Sequence, residues 1–236
     1  MPRFIVQQHA VLASTMDAAR AAAHDGAPDG TVVVAGRQTQ GRGRHGRDWF
    51  SPEGNLYASI LLRPGLPPGR LSELGFVVAL AAADAVDAVL PGGRARLKWP
   101  NDVMVDGRKI AGILVEIVEH NAAVIGIGLN IAHAPEAAPY PVTCLREAGA
   151  TTSPEAVLTQ FLTALEHHLA HWSRHGFAHA REAWLARGPA PGEMIRVRIG
   201  TRIDTGRFAG LDANGALLLT ENGATRRVVA GDVVAA

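Results

Sequence analysis

The sequence predicts an α+β protein: a mixed, largely antiparallel sheet with helices, followed by a small C-terminal β-barrel. Two observations carry this. Between residues 94 and 131 β-type runs come in a group, whereas a doubly wound parallel sheet would alternate strands with helices. After Pro189-Ala190-Pro191-Gly192 the character changes to short β runs punctuated by Asn214-Gly215 and Asn222-Gly223, the dipeptides of tight hairpin turns. We therefore expect a main domain over residues 1–189 and a barrel over 190–236.

Each element has a local reason. Ser14-Thr15-Met16-Asp17, ahead of an alanine-rich stretch, reads as a capped helix ending near Asp25-Gly26. Thr31–Ala35 is a β-branched run and hence a buried strand. Residues 36–54 are rich in Gly and Arg and lack periodicity; they read as a long loop, and such loops in compact domains tend to carry function. Leu56–Leu62 is a strand, broken by Pro64 and Pro67-Pro68, and Ser72 is placed to cap an apolar helix that stops before Pro91-Gly92-Gly93. Strands follow at Arg94–Lys98, Val103–Val105, Lys109–Val118 and Ala123–Ile131, with turns at Asp106-Gly107 and around Asn121. Ser153-Pro154-Glu155 starts a helix that ends at His175-Gly176, and a second helix, Phe177–Arg187, ends at Gly188.

Composition removes several classes of function. The 236 residues are 47% hydrophobic and 19% charged, too apolar for disorder. A net charge of +1 provides no global field for nucleic acid or anionic membrane. The single cysteine, Cys144, excludes an internal disulfide and fits a reducing compartment. The N-terminus lacks the apolar run of a signal peptide, and the most apolar stretch, Leu74–Leu90, contains Asp84 and Asp87. A cytoplasmic protein without a membrane span is expected. Of 23 lysines and arginines only two are lysines, Lys98 and Lys109, both in one short segment.

The loop Gly41-Arg-Gly43-Arg-His-Gly46 matches G-x-G-x-x-G after a strand. A dinucleotide site would need a helix to open at the last glycines. Here Asp48-Trp49-Phe50-Ser51-Pro52-Glu53-Gly54 and then a strand follow, so that reading fails. What remains is a glycine-rich segment carrying Arg37, Arg42, Arg44 and Arg47, with Trp49 and Phe50 as stacking surfaces. On its own it fits an anion clamp, a solvated basic loop or a nucleic-acid contact. A second constellation, Lys98-Trp99-Pro100-Asn101-Asp102 with Arg108-Lys109 beyond a hairpin turn, can bring both lysines to one region. Gly126 and Gly128 interrupt a further strand, where glycine is unfavourable unless something approaches closely.

In this order GRGRHGRDWFSPEGNLYASILL, KWPNDVMVDGRKIAGILVE and GIGLNI resemble the biotin–protein ligases, as do the early Ser14-Thr15 pair and the C-terminal ALLLTENGATRRVVAGDVV. The resemblance runs from about residue 9 to the C-terminus. It implies a catalytic domain related to lipoate ligases and class II tRNA synthetases, followed by an SH3-like barrel. It also implies a reaction in which ATP adenylates biotin and the biotinyl group passes to a lysine of a biotin carboxyl carrier protein. By that resemblance the catalytic cations are Lys109, Arg44 and Arg42. Ser14, Thr15, Gln38, Gly41, Gly112 and Gly128, with those cations, bind biotin. Arg47, Trp49, Asn101 and Asn130, with Arg44 and Lys109, hold ATP and the adenylate. Mg²⁺ comes with the triphosphate, steadied by Asp102. The chain departs from the pattern at Met16, where many members have Asn, and at His45 and Asp48, which replace basic residues of some relatives. Bifunctional members carry an N-terminal helix-turn-helix domain. This chain begins at the catalytic domain, so the monofunctional class without operator binding is expected. Exposed sheet edges leave a homodimer open. A lipoate or octanoate ligase is the rival within the enzyme class, and a nucleic-acid-binding module the rival outside it. His167, His171, His175 and His179 recur every four residues, but Gly176 interrupts them and no carboxylate or cysteine joins them, so a solvated helix face is expected there.

Overall fold

The computed structural model describes residues 3–118 and 122–234. The main sheet has seven strands in the order β1-β2-β3-β7-β6-β5-β4. They are β1 (Ile5–Leu12), β2 (Thr31–Gln38), β3 (Leu56–Leu62), β4 (Ala95–Lys98), β5 (Asp102–Val105), β6 (Arg108–Val118) and β7 (Ala122–Leu129). Only β1 and β2 run parallel; every other neighbour is antiparallel, so the sheet is mixed and largely antiparallel as its sequence suggests. Asp106 and Gly107 both take positive φ, the geometry of the tight hairpin that joins β5 to β6. The turn expected around Asn121 lies outside the described residues.

Helix α1 (Thr15–His24) covers one face of the sheet through Met16 and Ala19, which pack with Val33, Leu61 and Val124. Helices α2 (Glu73–Val89) and α3 (Pro154–Arg187) cover the other, where the main core lies. The two acids inside apolar α2 are answered from α3: Arg187 reaches Asp84 and Asp87, each at 2.6 Å, and His168 also meets Asp84 at 2.6 Å. Gly176 takes φ 72° and ψ −175°, outside the helical region, so α3 consists of two helical segments that meet at a kink where the sequence places the break. Ser153 caps α3 by accepting from the Ala156 N–H. Ser72, expected to do the same for α2, has helical dihedrals and makes no cap hydrogen bond.

Strand β1 has no counterpart in the sequence reading. Its residues are exposed on both faces apart from Leu12, so IVQQHAVL carries no apolar alternation; only pairing with β2 makes it a strand. The same pairing carries β2 past Ala35 to Gln38, shortening the loop expected from Gly36.

The C-terminal strands β8 (Met194–Ile199), β9 (Arg202–Leu211), β10 (Leu217–Glu221), β11 (Ala224–Val228) and β12 (Asp232–Val234) form an antiparallel sheet in the order β11-β10-β9-β8-β12. The small C-terminal β unit expected from the sequence is there, with five strands, although among the described residues no pairing of β11 with β12 closes it into a barrel. It packs on the main body through one continuous core that includes Phe208 and Leu217. The Phe76 ring lies against Gly215, where a Cβ would stand 2.6 Å from it, and Trp99 Nε1 donates to the Gly215 carbonyl at 3.1 Å. This docking brings β12 to the rim of the cleft described next.

Candidate active site

The strands place small residues where a ligand can lie. Along β6 and β7 the side chains alternate: Ala111, Ile113, Ile125, Ile127 and Leu129 are buried in the main core. On the opposite face Gly112 pairs with Gly128, and Gly126 pairs with Leu114 and with Ser59 of β3. These glycines floor a cavity of about 340 Å³. A second cavity of about 1180 Å³ adjoins it on the side of residues 133–142. Trp49, Lys109, Gln38 and Arg42 line both.

One end of the smaller cavity is polar and internally satisfied. Gln38 Oε1 accepts from the Thr15 N–H at 2.8 Å and from Thr15 Oγ1 at 3.1 Å. Ser59 Oγ donates to Thr15 Oγ1 at 2.8 Å, and Gln38 Nε2 donates to Ser51 Oγ at 3.1 Å. Ser14 is buried beside them and lines the cavity. Gly41 is buried behind this network; a Cβ there would come within 2.4 Å of Ser51 Oγ, so only glycine lets the chain pass.

Above the floor lies Trp49. A Cβ at Gly128 would stand 2.4 Å from its ring, and one at Gly112 3.0 Å. The Trp49 indole N–H is buried without a partner, against Gly128. Lys109 Nζ lies 5.2 Å from the Trp49 ring centre and 5.3 Å from that of Tyr140, cation–π distances. The same ammonium is 2.6 Å from Asp102 Oδ1, and Lys98 Nζ is 2.9 Å from Asp102 Oδ2. Burial would raise the Asp102 carboxyl above its ordinary range, but Lys109 and Lys98 together hold it below. The Tyr140 phenol is pushed up, first by burial and then by Asp102. The only two lysines of the chain thus converge on one buried carboxylate.

The structure gathers most of the expected residues but gives some of them other partners. Arg42 pairs with Asp17 of α1. Arg44 donates to Asp232 Oδ1 at 2.8 Å and to the Gly231 carbonyl at 3.2 Å, and Arg47 donates to Asp232 Oδ2 at 2.9 Å. The arginine loop is therefore tied to the C-terminal sheet. Asn101 Nδ2 donates to the Ile113 carbonyl at 2.6 Å and Asn130 Nδ2 to the Thr143 carbonyl at 3.0 Å, so both amide nitrogens brace the backbone. Both oxygens of Asp102 face lysine ammonium groups, which does not suit a hard cation that needs open oxygen ligands. Among the described residues no three His, Cys, Asp or Glu side chains are grouped to hold a metal ion. The histidines of α3 lie against one another, with the His167 and His171 ring centres 4.4 Å apart and those of His171 and His179 5.4 Å apart.

Sequence reasoning missed Asp17, Asp232, Tyr140 and Asn55. Asn55 is buried, and its Oδ1 accepts from the N–H groups of Ile131, Ala132 and His133, which fixes the start of the segment walling the larger cavity. Its place beside Gly54 at the head of β3 was the available signal. Asp232 had none, because it lies 188 residues from Arg44 in the chain.

A glycine-floored cleft with a lysine pair at one end and an arginine loop at its mouth has the chemistry to hold anionic groups together. The comparisons with known proteins give that class its family. Residues 9–131, more than half of the chain, match the biotin/lipoate A/B protein ligase family, and residues 192–235 match the biotin protein ligase C-terminal domain. The chain belongs to this family. It is 41% identical over 198 residues to the biotin–[acetyl-CoA-carboxylase] ligase of Paracoccus denitrificans, covering 79% of this chain and 82% of that one. It is 32% identical over 235 residues to the bifunctional ligase/repressor BirA of Bacillus subtilis, covering 95% and 72%. The biotin protein ligase of Aquifex aeolicus, solved in complex with biotin and ATP, superimposes with a TM-score of 0.83 at 29% identity and covers 97% of each chain.

Proposed function

We propose that the protein is an ATP-dependent biotin ligase: it adenylates biotin and passes the biotinyl group to a lysine of a biotin carboxyl carrier protein, that of acetyl-CoA carboxylase or a related carboxylase. The observation that carries this is the convergence of Lys109 and Lys98 on buried Asp102, at the edge of a glycine floor covered by Trp49. Further support comes from the 41% identical relative named as a biotin–[acetyl-CoA-carboxylase] ligase.

In the first step a carboxylate oxygen of biotin attacks the α-phosphorus of ATP, the bond to the β-phosphate oxygen breaks, and pyrophosphate leaves. Two anions at about 4 Å repel by about 4 kcal/mol at an effective dielectric of 20. Lys109, only 12% exposed, sits where one ammonium can serve both. The polar end made by Ser14, Thr15 and Gln38 takes the ring system of biotin, and Gly112 and Gly128 admit it against the strands once the Trp49 ring, which rests on both glycines in the ligand-free site, moves off them. The larger cavity takes the nucleotide, with Trp49 and Asn130 on its wall. Arg42, Arg44 and Arg47 exchange their carboxylate partners for phosphate oxygens. Mg²⁺ enters with the triphosphate as part of that substrate. In the second step the carrier lysine, as the free amine, attacks the acyl carbon, the acyl–phosphate bond breaks, AMP leaves, and a proton is released from nitrogen. Enclosure of the mixed anhydride limits its hydrolysis.

We assign the catalytic work to residues 1–189 and a rim-forming role to residues 190–236, and we place the enzyme in the cytoplasm, in keeping with the absence among the described residues of any helix long and apolar enough to cross a membrane. A homodimer through the exposed edge strand β1 is part of this proposal. ATP–pyrophosphate exchange with biotin, lipoate and octanoate is the test. Exchange driven by biotin is the expected result; exchange driven only by lipoate or octanoate would replace biotin as the substrate.

A further inference from the structure

The departure at position 16 has a structural counterpart. Met16 is 4% exposed, at the start of α1, and lines the smaller cavity beside Thr15. Its side chain lies on Gly126: a Cβ built there would be 3.1 Å from Cγ and 2.7 Å from Sδ, the latter closer than real atoms pack. Methionine and glycine are thus a matched pair, the long unbranched side chain filling the space that the missing Cβ leaves. Gly126 and Gly128 are two residues apart on β7, about 7 Å along a strand. Trp49 covers the second and Met16 the first, so the two side chains bound the floor at either end. Next to Met16 the wall is polar, made by Thr15 and Gln38, with Ser59 hydrogen-bonded to Thr15, whereas the thioether offers no donor and only a weak acceptor.

We propose that Met16 is a specificity-determining residue. Seated on Gly126, it forms an apolar end wall that accepts a ring with a polar edge toward Thr15 and Gln38 and an apolar thioether edge toward Met16, and it excludes acids bearing a polar or bulky group at that second edge. This rests on the biotin-activating function proposed above. Biotin has both edges, a ureido group and a ring sulfur. Biotin sulfone, which adds two oxygens to that sulfur, is the discriminating probe.

The experiment measures kcat/KM of ATP–pyrophosphate exchange for biotin and for biotin sulfone, with thermal melts on every variant. The wild type is expected to prefer biotin. Met16→Ala and Met16→Asn should each reduce the biotin-to-sulfone ratio by about tenfold or more, the scale on which an apolar pocket discriminates. Met16→Leu, apolar and of similar volume, should keep the preference and carries the test if the alanine variant does not fold. Gly126→Ala should lose activity with biotin, and Met16→Ala/Gly126→Ala should regain it, because shortening residue 16 makes room for the new methyl group. An unchanged ratio in the Met16→Ala and Met16→Asn variants, or a double variant no better than Gly126→Ala, overturns the role of Met16 while leaving the function standing. A wild type that shows no biotin-dependent exchange overturns both.

Discussion

Replacing Lys109 by methionine separates the catalytic use of the lysine pair from its structural use. In the ligand-free site Lys109 and Lys98 stand 2.6 Å and 2.9 Å from the two oxygens of Asp102, whose side chain is 10% exposed. At an effective dielectric of 20 each contact contributes a gross attraction of about 6 kcal/mol, so the two lysines share the neutralisation of one buried charge nearly equally. Lys109→Met leaves Asp102 with Lys98 alone. Breaking a buried pair by removing one partner costs about 3–5 kcal/mol, and the remaining lysine places this variant at the lower end of that range. Loss of one preorganised donor to a developing charge lowers kcat by about 10²–10³. A single variant therefore confounds instability with lost chemistry.

The second variant, Lys109→Met/Asp102→Asn, removes the unpaired charge together with the ammonium. Its melting temperature should return most of the way to that of the wild type, while biotin-dependent exchange stays at least 10²-fold down. Activity of Lys109→Met within about tenfold of wild type, equivalent to less than about 1.4 kcal/mol, would remove Lys109 from the chemistry. Recovery of exchange in the double variant would show that the lysine serves only to neutralise Asp102.

Three further outcomes follow from the same geometry. The Asp102 carboxyl is held below its ordinary value of 3.8, so its stabilising contribution is present above about pH 4 and is lost as pH falls through the depressed folded value; acid unfolding followed by circular dichroism should therefore be shallower in Asp102→Asn than in the wild type over that window. Asp232→Ala removes the acceptor of Arg44 and Arg47, and since charge-assisted hydrogen bonds contribute about 1.5–3 kcal/mol, trypsin cleavage after Arg42, Arg44 or Arg47 should accelerate about 10- to 100-fold in ligand-free protein; an unchanged cleavage rate would show that Asp232 does not secure the loop. Asn55→Ala strands the N–H groups of Ile131 and His133, while that of Ala132 keeps the Gly54 carbonyl, and should destabilise the protein by about 2–4 kcal/mol, a fall in melting temperature of about 5–15 °C; a fall below 2 °C would mean that water replaces the amide at little cost.

The parts of this fold visible in the sequence were those written in local chemistry. Asp106-Gly107 could be read as a turn because two successive positive φ angles favour such residues, and Ser153-Pro154-Glu155 could be read as a helix start because cap, fixed φ and acid agree. Strand β1 could not be read, because an exposed edge imposes no alternation and the partner that makes it a strand lies some 26 residues further on. The same divide runs through the site. Lys98 and Lys109 were recognisable as a pair because only the short strand β5 lies between theirs, in the chain and in the sheet. By contrast, the backbone contacts of Asn101 and Asn130 could not be read, because residue type does not reveal that a side-chain amide nitrogen is engaged by a carbonyl elsewhere in the chain.

The carboxylates facing the site's cations explain why a nearly neutral chain can house an anion trap. Arg42, Arg44, Arg47, Lys98 and Lys109 are five cations, and the carboxylates they meet are three, Asp17, Asp232 and Asp102. Asp17 is also shared with Arg20. The cleft therefore carries a surplus of positive charge that the net charge of +1 conceals. An arginine that already faces an aspartate has lost part of its hydration on folding, so it gives up less water when a phosphate takes the aspartate's place. The exchange favours phosphate, which offers more charge and more acceptor oxygens than a carboxylate. Because Asp232 belongs to the C-terminal sheet, the exchange at Arg44 and Arg47 also releases that sheet's hold on the loop. Under the proposed function, nucleotide binding and loop release are then one event in which the small C-terminal sheet takes part.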